Sequence, residues 1–430
     1  MLYLYTYLQI MNRLNKEEGK KEHPNKPLGV LVLSQTYPPD VGGVETHLED
    51  LTEAFKVKYP DWRVWIVAYK PIVTEVESYL PREQHGNLSI RRFWWIGGNL
   101  FRKLEKAPAL MVLYIVPYFM ARLFFYMLPN IRKVDVIHVH GINMAMVGLI
   151  IGKFFHKRVV FQSHALYSFA PGSAFARVTA FLLKGMDSVL TLCHASKDEF
   201  LKLGVPEEKI SVYRYWIDLK RFNMVTPVPR SGCNPTLQQV SNPIIPAFPY
   251  SNVPVEVTNK PFTAFFVGRL IGIKGEDVVV ELARRFPNIH FKIAGGGPNQ
   301  QRVIEAVQRL DNLEYVGLVP NSQLHAYYQA ADVVLVPSQY PEGFGRVICE
   351  ALACGTPVLA SNIGGIPDAM DNTVGVLCDL SVDSFASALQ RMITDQAWYQ
   401  VLKNNTRPFA EKQFSIANSE MIFSKYRCTE

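Results

Sequence analysis

The stretch from Pro341 to Pro357, PEGFGRVICEALACGTP, constrains the fold more than any other part of this chain. It follows the apolar run from Asp332 to Pro337, DVVLVP, which reads as a buried parallel strand. A glycine-flanked loop then opens a helix that stops at Gly355, with Pro357 just beyond. Such a loop leaves backbone N–H groups free at the helix start around Gly343, Phe344 and Gly345, where the helix dipole favours an anion. Two carboxylates stand eight residues apart, Glu342 in the loop and Glu350 inside the helix. Neither suits a phosphate, but both accept hydrogen bonds from sugar or ribose hydroxyls. Phosphate at the amides and sugars at the carboxylates describe a nucleotide sugar. On spacing alone, an ordinary strand–loop–helix unit with two surface glutamates fits equally well.

Glu342 and Glu350, with seven residues between them inside EGFGRVICEALACGTPV, resemble the signature of retaining family-four glycosyltransferases of the GT-B fold. The resemblance runs from about Leu28 to the C-terminus. It implies an α/β architecture of two Rossmann-like domains facing each other across a cleft. It also implies sugar transfer from a nucleotide diphosphate sugar with retention of anomeric configuration, Glu342 holding donor-sugar hydroxyls and Glu350 the ribose.

Earlier in the chain, Leu28 to Ser34 is a first buried strand, followed by a loop ending in Gly42-Gly43 and a helix with Val44, Leu48, Leu51 and Phe55 on one face. Strand, Gly-Gly loop and helix form a phosphate or ligand loop, although two glycines alone are a weak signal. The resemblance places Gly42 and Gly43 on the acceptor side, with Gly43 also beside the donor diphosphate. Further strands are expected over Arg63–Ala68, Ser89–Phe93, Val134–Gly141, Arg158–His164, Ser188–Leu192 and Ile210–Tyr213. His140 and His164 fall at strand carboxyl ends, where parallel sheets bind ligands, and His138 packs within its strand. The ordinary reading of such a histidine is a ring that simply faces solvent at the strand end. The resemblance implies that His164 lies near the donor sugar and the reaction centre, and makes His140 an acceptor-side candidate.

Ala109 to Leu128, ALMVLYIVPYFMARLFFYML, is the most apolar stretch, flanked by Arg102, Lys103, Lys106, Arg132 and Lys133. Three readings stand open: a helix packed on the sheet, an interfacial helix or hairpin on a membrane surface, or a span interrupted by Pro117 and Arg122.

The second half opens with the strand Phe262–Gly268, then Arg269 and Lys274 in GRLIGIKG before a helix from Glu276 to Phe286. An arginine fork and a lysine point charge at a strand end can clamp a diphosphate. Two solvated bases in a loop are the plainer alternative, and the matching family motif favours the clamp. Ile289–Ala294 is a strand ending in Gly295-Gly296-Gly297-Pro298, where backbone can approach a ligand closely. The resemblance adds Gly268 and Gly295 to the donor-binding set. Leu313–Gly317 is a further strand. The last apolar helices, near Phe385–Ile393 and Ser415–Tyr426, are expected to return to the first domain. Where many relatives carry Asn-Gly, this chain has Tyr215-Trp216. Asp368 stands where many carry Glu.

With 430 residues the chain is too long for one core and suits two domains. The expected division is an N-terminal extension over 1–27, an acceptor-side domain over 28–222, a linker or surface excursion over 223–260, a donor-binding domain over 261–405 and a returning C-terminal helix over 406–430. A net charge of +7 suits anionic substrates or an acidic membrane surface and is too weak to argue for nucleic acid. Six cysteines without CxxC pairing point to free thiols in a reducing, cytoplasmic compartment, at most on the cytoplasmic face of a membrane. No signal peptide is evident at the N-terminus.

The sequence therefore predicts a glycosyltransferase acting on a glycan or lipid-linked acceptor. No cofactor is expected, since the nucleotide sugar is a co-substrate. Arg269 and Lys274 are expected to stand in for a metal, as no Asp-x-Asp motif is present. The catalytic set is His164, Glu342, Arg269 and Lys274. The competing classes are a nucleotide-sugar epimerase of the same fold and a non-catalytic nucleotide-sugar-binding subunit.

Overall fold

The computed structural model describes residues 26–40, 42–71, 79–94, 108–222 and 261–427, without the side chains of 108–116. The expected extension up to residue 25, the segment 223–260, the bases Arg102, Lys103 and Lys106, and Cys233 and Cys428 lie outside the described residues.

The first sheet contains β1 (Gly29–Leu33), β2 (Arg63–Tyr69), β3 (Arg82–His85), β4 (Leu88–Phe93), β5 (Val136–His140), β6 (Arg158–Gln162), β7 (Ser188–Thr191) and β8 (Ile210–Val212). Its order is β3-β4-β2-β1-β5-β6-β7-β8, parallel throughout except where β3 runs antiparallel to β4. The central strands are runs of Val, Ile and Leu because helices cover both faces and leave no polar side. The sequence reading missed β3: its residues REQH are polar and show no apolar alternation. A short charged strand of this kind protects a sheet edge from further pairing.

Helices α1 (Gly43–Lys58), α2 (Pro108–Met127), α3 (Ile142–Phe154), α4 (Ala174–Gly185) and α5 (His194–Lys202) accompany this sheet. The apolar stretch forms α2, and Phe119, Leu123 and Met127 bury one side of it at four-residue spacing. The Phe119 ring meets Tyr69 and Phe93 with centroids 4.9 and 5.5 Å apart, which lays the helix on the sheet. The packed-helix reading therefore holds for its inner face. Among the described residues no helix is long and apolar enough to cross a membrane.

The second sheet contains β9 (Thr263–Val267), β10 (His290–Ala294), β11 (Leu313–Gly317), β12 (Val333–Val336), β13 (Val358–Ser361) and β14 (Gly375–Cys378), all parallel in the order β11-β10-β9-β12-β13-β14. Its helices are α6 (Glu276–Arg285), α7 (Gln300–Val307), α8 (Leu324–Ala330), α9 (Arg346–Ala353), α10 (Ile366–Ala369) and α11 (Val382–Thr394).

The C-terminal expectation needs correction. Helix α11 stays on the second domain, with Phe385, Leu389 and Met392 packed in the same cluster as Leu359 and Cys378. A long helix α12 (Gln396–Gln413) follows, so the boundary expected at 405/406 falls inside a continuous helix. Pro408 and the polar run around it hid that helix from periodicity. The chain meets the end of the first domain from the last turns of α12, where Arg407 donates to the Phe222 carbonyl and the Phe414 carbonyl accepts from Ile217 N, and α13 (Ser419–Ser424) with the residues after it packs onto α1. There Phe423 and Tyr426 pack on Phe55 and Trp62, and Glu420 accepts from Lys58 at 2.7 Å and Tyr59 at 2.9 Å. One buried apolar cluster runs through both domains, from Leu48 and Phe55 to Phe344 and Phe414.

Candidate functional site

Strands β9 and β12 are neighbours, so the loops leaving their carboxyl ends meet. Gln339 N donates to the Ile273 carbonyl at 2.8 Å, which ties the Arg269–Lys274 loop to the one before Glu342. Gly275 has φ +83°, and a Cβ there would overlap the Pro337 carbonyl oxygen, so only glycine permits this approach. The buried Glu276 fastens the same loop from beneath, accepting from Gly272 N at 2.5 Å and Asn299 Nδ2 at 2.7 Å. Through this stitching Lys274 Nζ lies 2.8 Å from Glu342 Oε1, and Ser338 Oγ donates to the same oxygen. Arg269 is exposed one residue past Gly268, whose N–H donates to the Ala294 carbonyl beside Gly295.

Helix α9 starts at Gly345, whose φ of +95° is left-handed and whose missing side chain leaves the first amides without a cap. The Glu342 carbonyl accepts from Gly365 N at 2.8 Å, which pins the loop to the start of α10. The loop faces the first domain directly. A Cβ on Gly343 would stand 3.0 Å from the His164 carbonyl oxygen, so the domains close to backbone contact here. Asp368 adds a second bridge, accepting from His194 N at 2.9 Å and pairing with His194 Nδ1 at 2.7 Å.

On the first domain, His140 and His164 come together as expected from their strand ends. Their rings stack with centroids 5.0 Å apart, and His140 Nδ1 lies 2.7 Å from His164 Nε2. One of these nitrogens donates and the other accepts, which two neutral rings satisfy. Burial pushes His164 down to about 3 and His140 well below its ordinary value. His164 Nδ1 has no partner among the described residues and is shielded from solvent. Beneath the pair, Tyr426 OH meets His138 Nδ1 at 2.7 Å, and His47 Nε2 pairs with Gln162 Nε2 at 2.7 Å. Gln162 also bonds Tyr213 OH. The sequence reading missed His47, because it sits mid-helix with nothing nearby in sequence to mark it.

Glu350 stands apart from the open loop. It is 4 % exposed, and its two oxygens accept from Arg346 Nε at 2.8 Å and Tyr328 OH at 2.8 Å. Arg346 reaches back with Nη1 to Asp50 of α1 at 2.6 Å, so a buried carboxylate–guanidinium–carboxylate chain crosses the domain boundary. Burial works against the Arg346 charge, but Asp50 and Glu350 outweigh it and hold the guanidinium above its usual pKa. Burial raises the Asp50 carboxyl to about 6 against the pull of Arg346. Tyr215 joins the same boundary: its OH donates to the Gly43 carbonyl at 3.1 Å and its ring lies 5.7 Å from Phe344. The residues replacing the relatives' Asn-Gly thus tie the Gly42-Gly43 turn to the Glu342 loop. Asp50, Tyr215 and Tyr328 carry no local sequence signal for these roles, and Arg346 shows one only through its place in the motif. Among the described residues no group of three or more His, Cys, Asp or Glu is arranged to hold a metal ion.

Two parallel-sheet α/β domains meeting over these loops constitute the GT-B fold. Comparison with known proteins agrees. The Glycosyltransferase Family 4 profile matches residues 41–221 and the Glycosyl transferases group 1 profile matches 252–409, one on each domain. The chain belongs to this family of GT-B glycosyltransferases. It is 25 % identical over 390 residues to a phosphatidylinositol N-acetylglucosaminyltransferase subunit of Arabidopsis thaliana, covering 85 % of this chain and 74 % of that one. It is 29 % identical over 281 residues to glycogen synthase of Mycobacterium tuberculosis, covering 61 % of each. Among solved structures, sucrose-phosphate synthase of Thermosynechococcus elongatus shares the fold with a TM-score of 0.70 at 22 % identity, over 93 % of this chain and 98 % of that one. The Anabaena HepE protein in complex with UDP does so at 0.66 and 19 % identity, over 92 % and 99 %.

Proposed function

We propose that this glycosyltransferase moves a hexosyl group from a nucleotide diphosphate sugar to a glycan or lipid-linked acceptor, with retention and without a metal ion. The observation that carries the reading is the Lys274–Glu342 pair on two loops stitched together, with exposed Arg269 beside them. A cation, a carboxylate and uncapped helix amides within one loop cluster match a donor with a diphosphate at one end and hydroxyls at the other. The demanding charge change is the departing diphosphate, which Arg269, Lys274 and the α9 amides would stabilise. Glu342 would hold sugar hydroxyls. His164, neutral and backed by His140, would orient the sugar or assist the acceptor. Both motif carboxylates already have assigned partners, Glu342 with Lys274 and Glu350 with Arg346 and Tyr328, which favours front-face displacement assisted by the leaving phosphate over a carboxylate nucleophile. Glu350 would reach a ribose only from within its pair with Arg346 and Tyr328. Four buried free cysteines fit a reducing, cytoplasmic compartment.

The Anabaena HepE protein, alike in fold, has been solved with UDP and with UDP-glucose, so uridine donors come first in the test. A thermal-shift screen of UDP-, GDP- and ADP-sugars selects the donor. Mass measurement and anomeric NMR of products from pooled glycan and lipid acceptors follow, with and without EDTA. The expected result is a glycoside with the donor's anomeric configuration, formed equally in EDTA. Free epimerised sugar would place the chain among the epimerases. An inverted product, or activity lost to EDTA and restored by magnesium or manganese, would overturn retention or metal independence respectively.

A further inference from the structure

The charge of this protein is not spread over it. Between residues 108 and 186 stand eight Lys or Arg (Arg122, Arg132, Lys133, Lys153, Lys157, Arg158, Arg177, Lys184) against a single carboxylate, Asp135. That segment alone carries a net +7, equal to the charge of the whole chain, so the remainder is neutral. Asp135 accepts from Gly29 N at 2.7 Å at a sheet end, so no acidic residue stands on α2, α3 or α4.

These three helices lie side by side on one face of the first sheet, where their inner sides form the core. Their outer sides are apolar as well. Phe125 is 74 % exposed on α2 and Phe181 is 72 % exposed on α4, with Ile150, Phe154, Phe175 and Val178 exposed between and beside them. Exposed Arg122, Lys153, Arg177 and Lys184 are interspersed with them. A groove of about 340 Å³ opens between α2 and α3, lined by Pro117, Met120, Phe124, Ile150, Phe154 and Phe155. Single exposed apolar residues are ordinary, but a run across three adjacent helices marks an interaction surface.

We propose that this face docks the protein on an anionic phospholipid bilayer, the aromatic side chains entering the headgroup layer and the groove accepting acyl methylenes. Charge complementarity selects this occupant. A second copy of the chain would bring the same +7 segment against itself, whereas anionic lipid neutralises it. Helix α2 lies flat, since Phe119, Leu123 and Met127 are committed to the sheet, so docking does not require the helix to insert. The proposal is independent of the sugar-transfer chemistry, and vesicle binding is read without substrate.

The test is co-sedimentation of the full chain with vesicles of phosphatidylcholine alone and of phosphatidylcholine containing about one-third phosphatidylserine. Binding to the anionic vesicles only, weakened by added salt, is the expected result. Arg122→Gln, Lys153→Gln, Arg177→Gln and Lys184→Gln together should weaken it up to roughly 1,000-fold. Phe125→Ser with Phe181→Ser should also weaken it, while melting temperature and nucleotide binding stay those of the parent. Equal partition onto both vesicles, no binding to either, or a stable dimer that the Phe125/Phe181 variant converts to monomer without vesicle binding would overturn the proposal.

Discussion

Glu342 and Arg269 illustrate how differently two residues of one loop cluster can be held. Glu342 is fixed by Lys274 and Ser338, so its carboxylate is already oriented for the donor-binding role proposed above. Replacing it with Gln keeps the shape but removes the charge from any bond it accepts. Charge-assisted hydrogen bonds contribute about 1.5–3 kcal/mol, so Glu342→Gln should lower kcat/KM by roughly 10- to 150-fold with the fold intact. Wild-type turnover in that variant would exclude the role. The Arg269 side chain is exposed and makes no ion pair among the described residues, so its proposed role is exercised only with donor present. If it clamps the diphosphate in a closing cleft, Arg269→Ala should cost more than the ~0–1 kcal/mol of an exposed ion pair. Arg269→Lys should recover part of the loss, because a point charge cannot make two parallel bonds. Steady-state kinetics of both variants beside Lys274→Ala measure this, and unchanged rates in both alanine variants would remove these residues from the mechanism.

Elements explain why those side chains meet. The β9–α6 loop and the β12–α9 loop are joined by one backbone bond and by the approach of Gly275 to Pro337. Gly275→Ala places a Cβ on a left-handed residue and into the Pro337 carbonyl, and about 1–3 kcal/mol of strain is expected. Its loops must then separate, carrying Lys274 from Glu342. Chemical denaturation should show the lost stability, and nucleotide-sugar affinity should fall with it. Unaltered affinity at reduced stability would mean that the stitching serves folding alone.

The whole molecule sets the pH response. Four histidines, His47, His138, His140 and His164, are buried around the domain boundary, and burial lowers the pKa of each, to about 3 for His138 and His164. In the unfolded chain they titrate near 6.5. Their contribution to stability is therefore fully present above about pH 6.5 and is lost as pH falls from there towards 3, at up to about 1.4 kcal/mol per pH unit for each histidine. Asp50 works in the opposite direction: with its folded value raised to about 6, the folded state gains from protonation on acidification. Burial raises the neighbouring Glu49 carboxyl too, and two carboxylates against four imidazoles still leave a net loss. Urea unfolding midpoints should fall steadily from pH 7.5 to pH 5, and a flat profile would show that the cluster hydrates before it unfolds.

Local sequence determined much of this protein. The buried parallel strands are dominated by Val, Ile, Leu and Phe, because a strand covered on both faces has no polar side to alternate. The loops carrying Gly42-Gly43, Arg269–Lys274 and Glu342–Gly345 are legible from glycines at strand ends, where helix amides open. Polar β3 and Pro-containing α12 escaped, since each owes its structure to neighbours rather than to its own pattern. Only the tertiary structure decided that Glu350 is committed to Arg346 and Tyr328, that Asp50 reaches the second domain, and that Tyr426 closes the histidine cluster from 288 residues away in sequence. Those pairings depend on where two separate sheets place their helices. A contact between residues hundreds of positions apart leaves no trace in the spacing around either one.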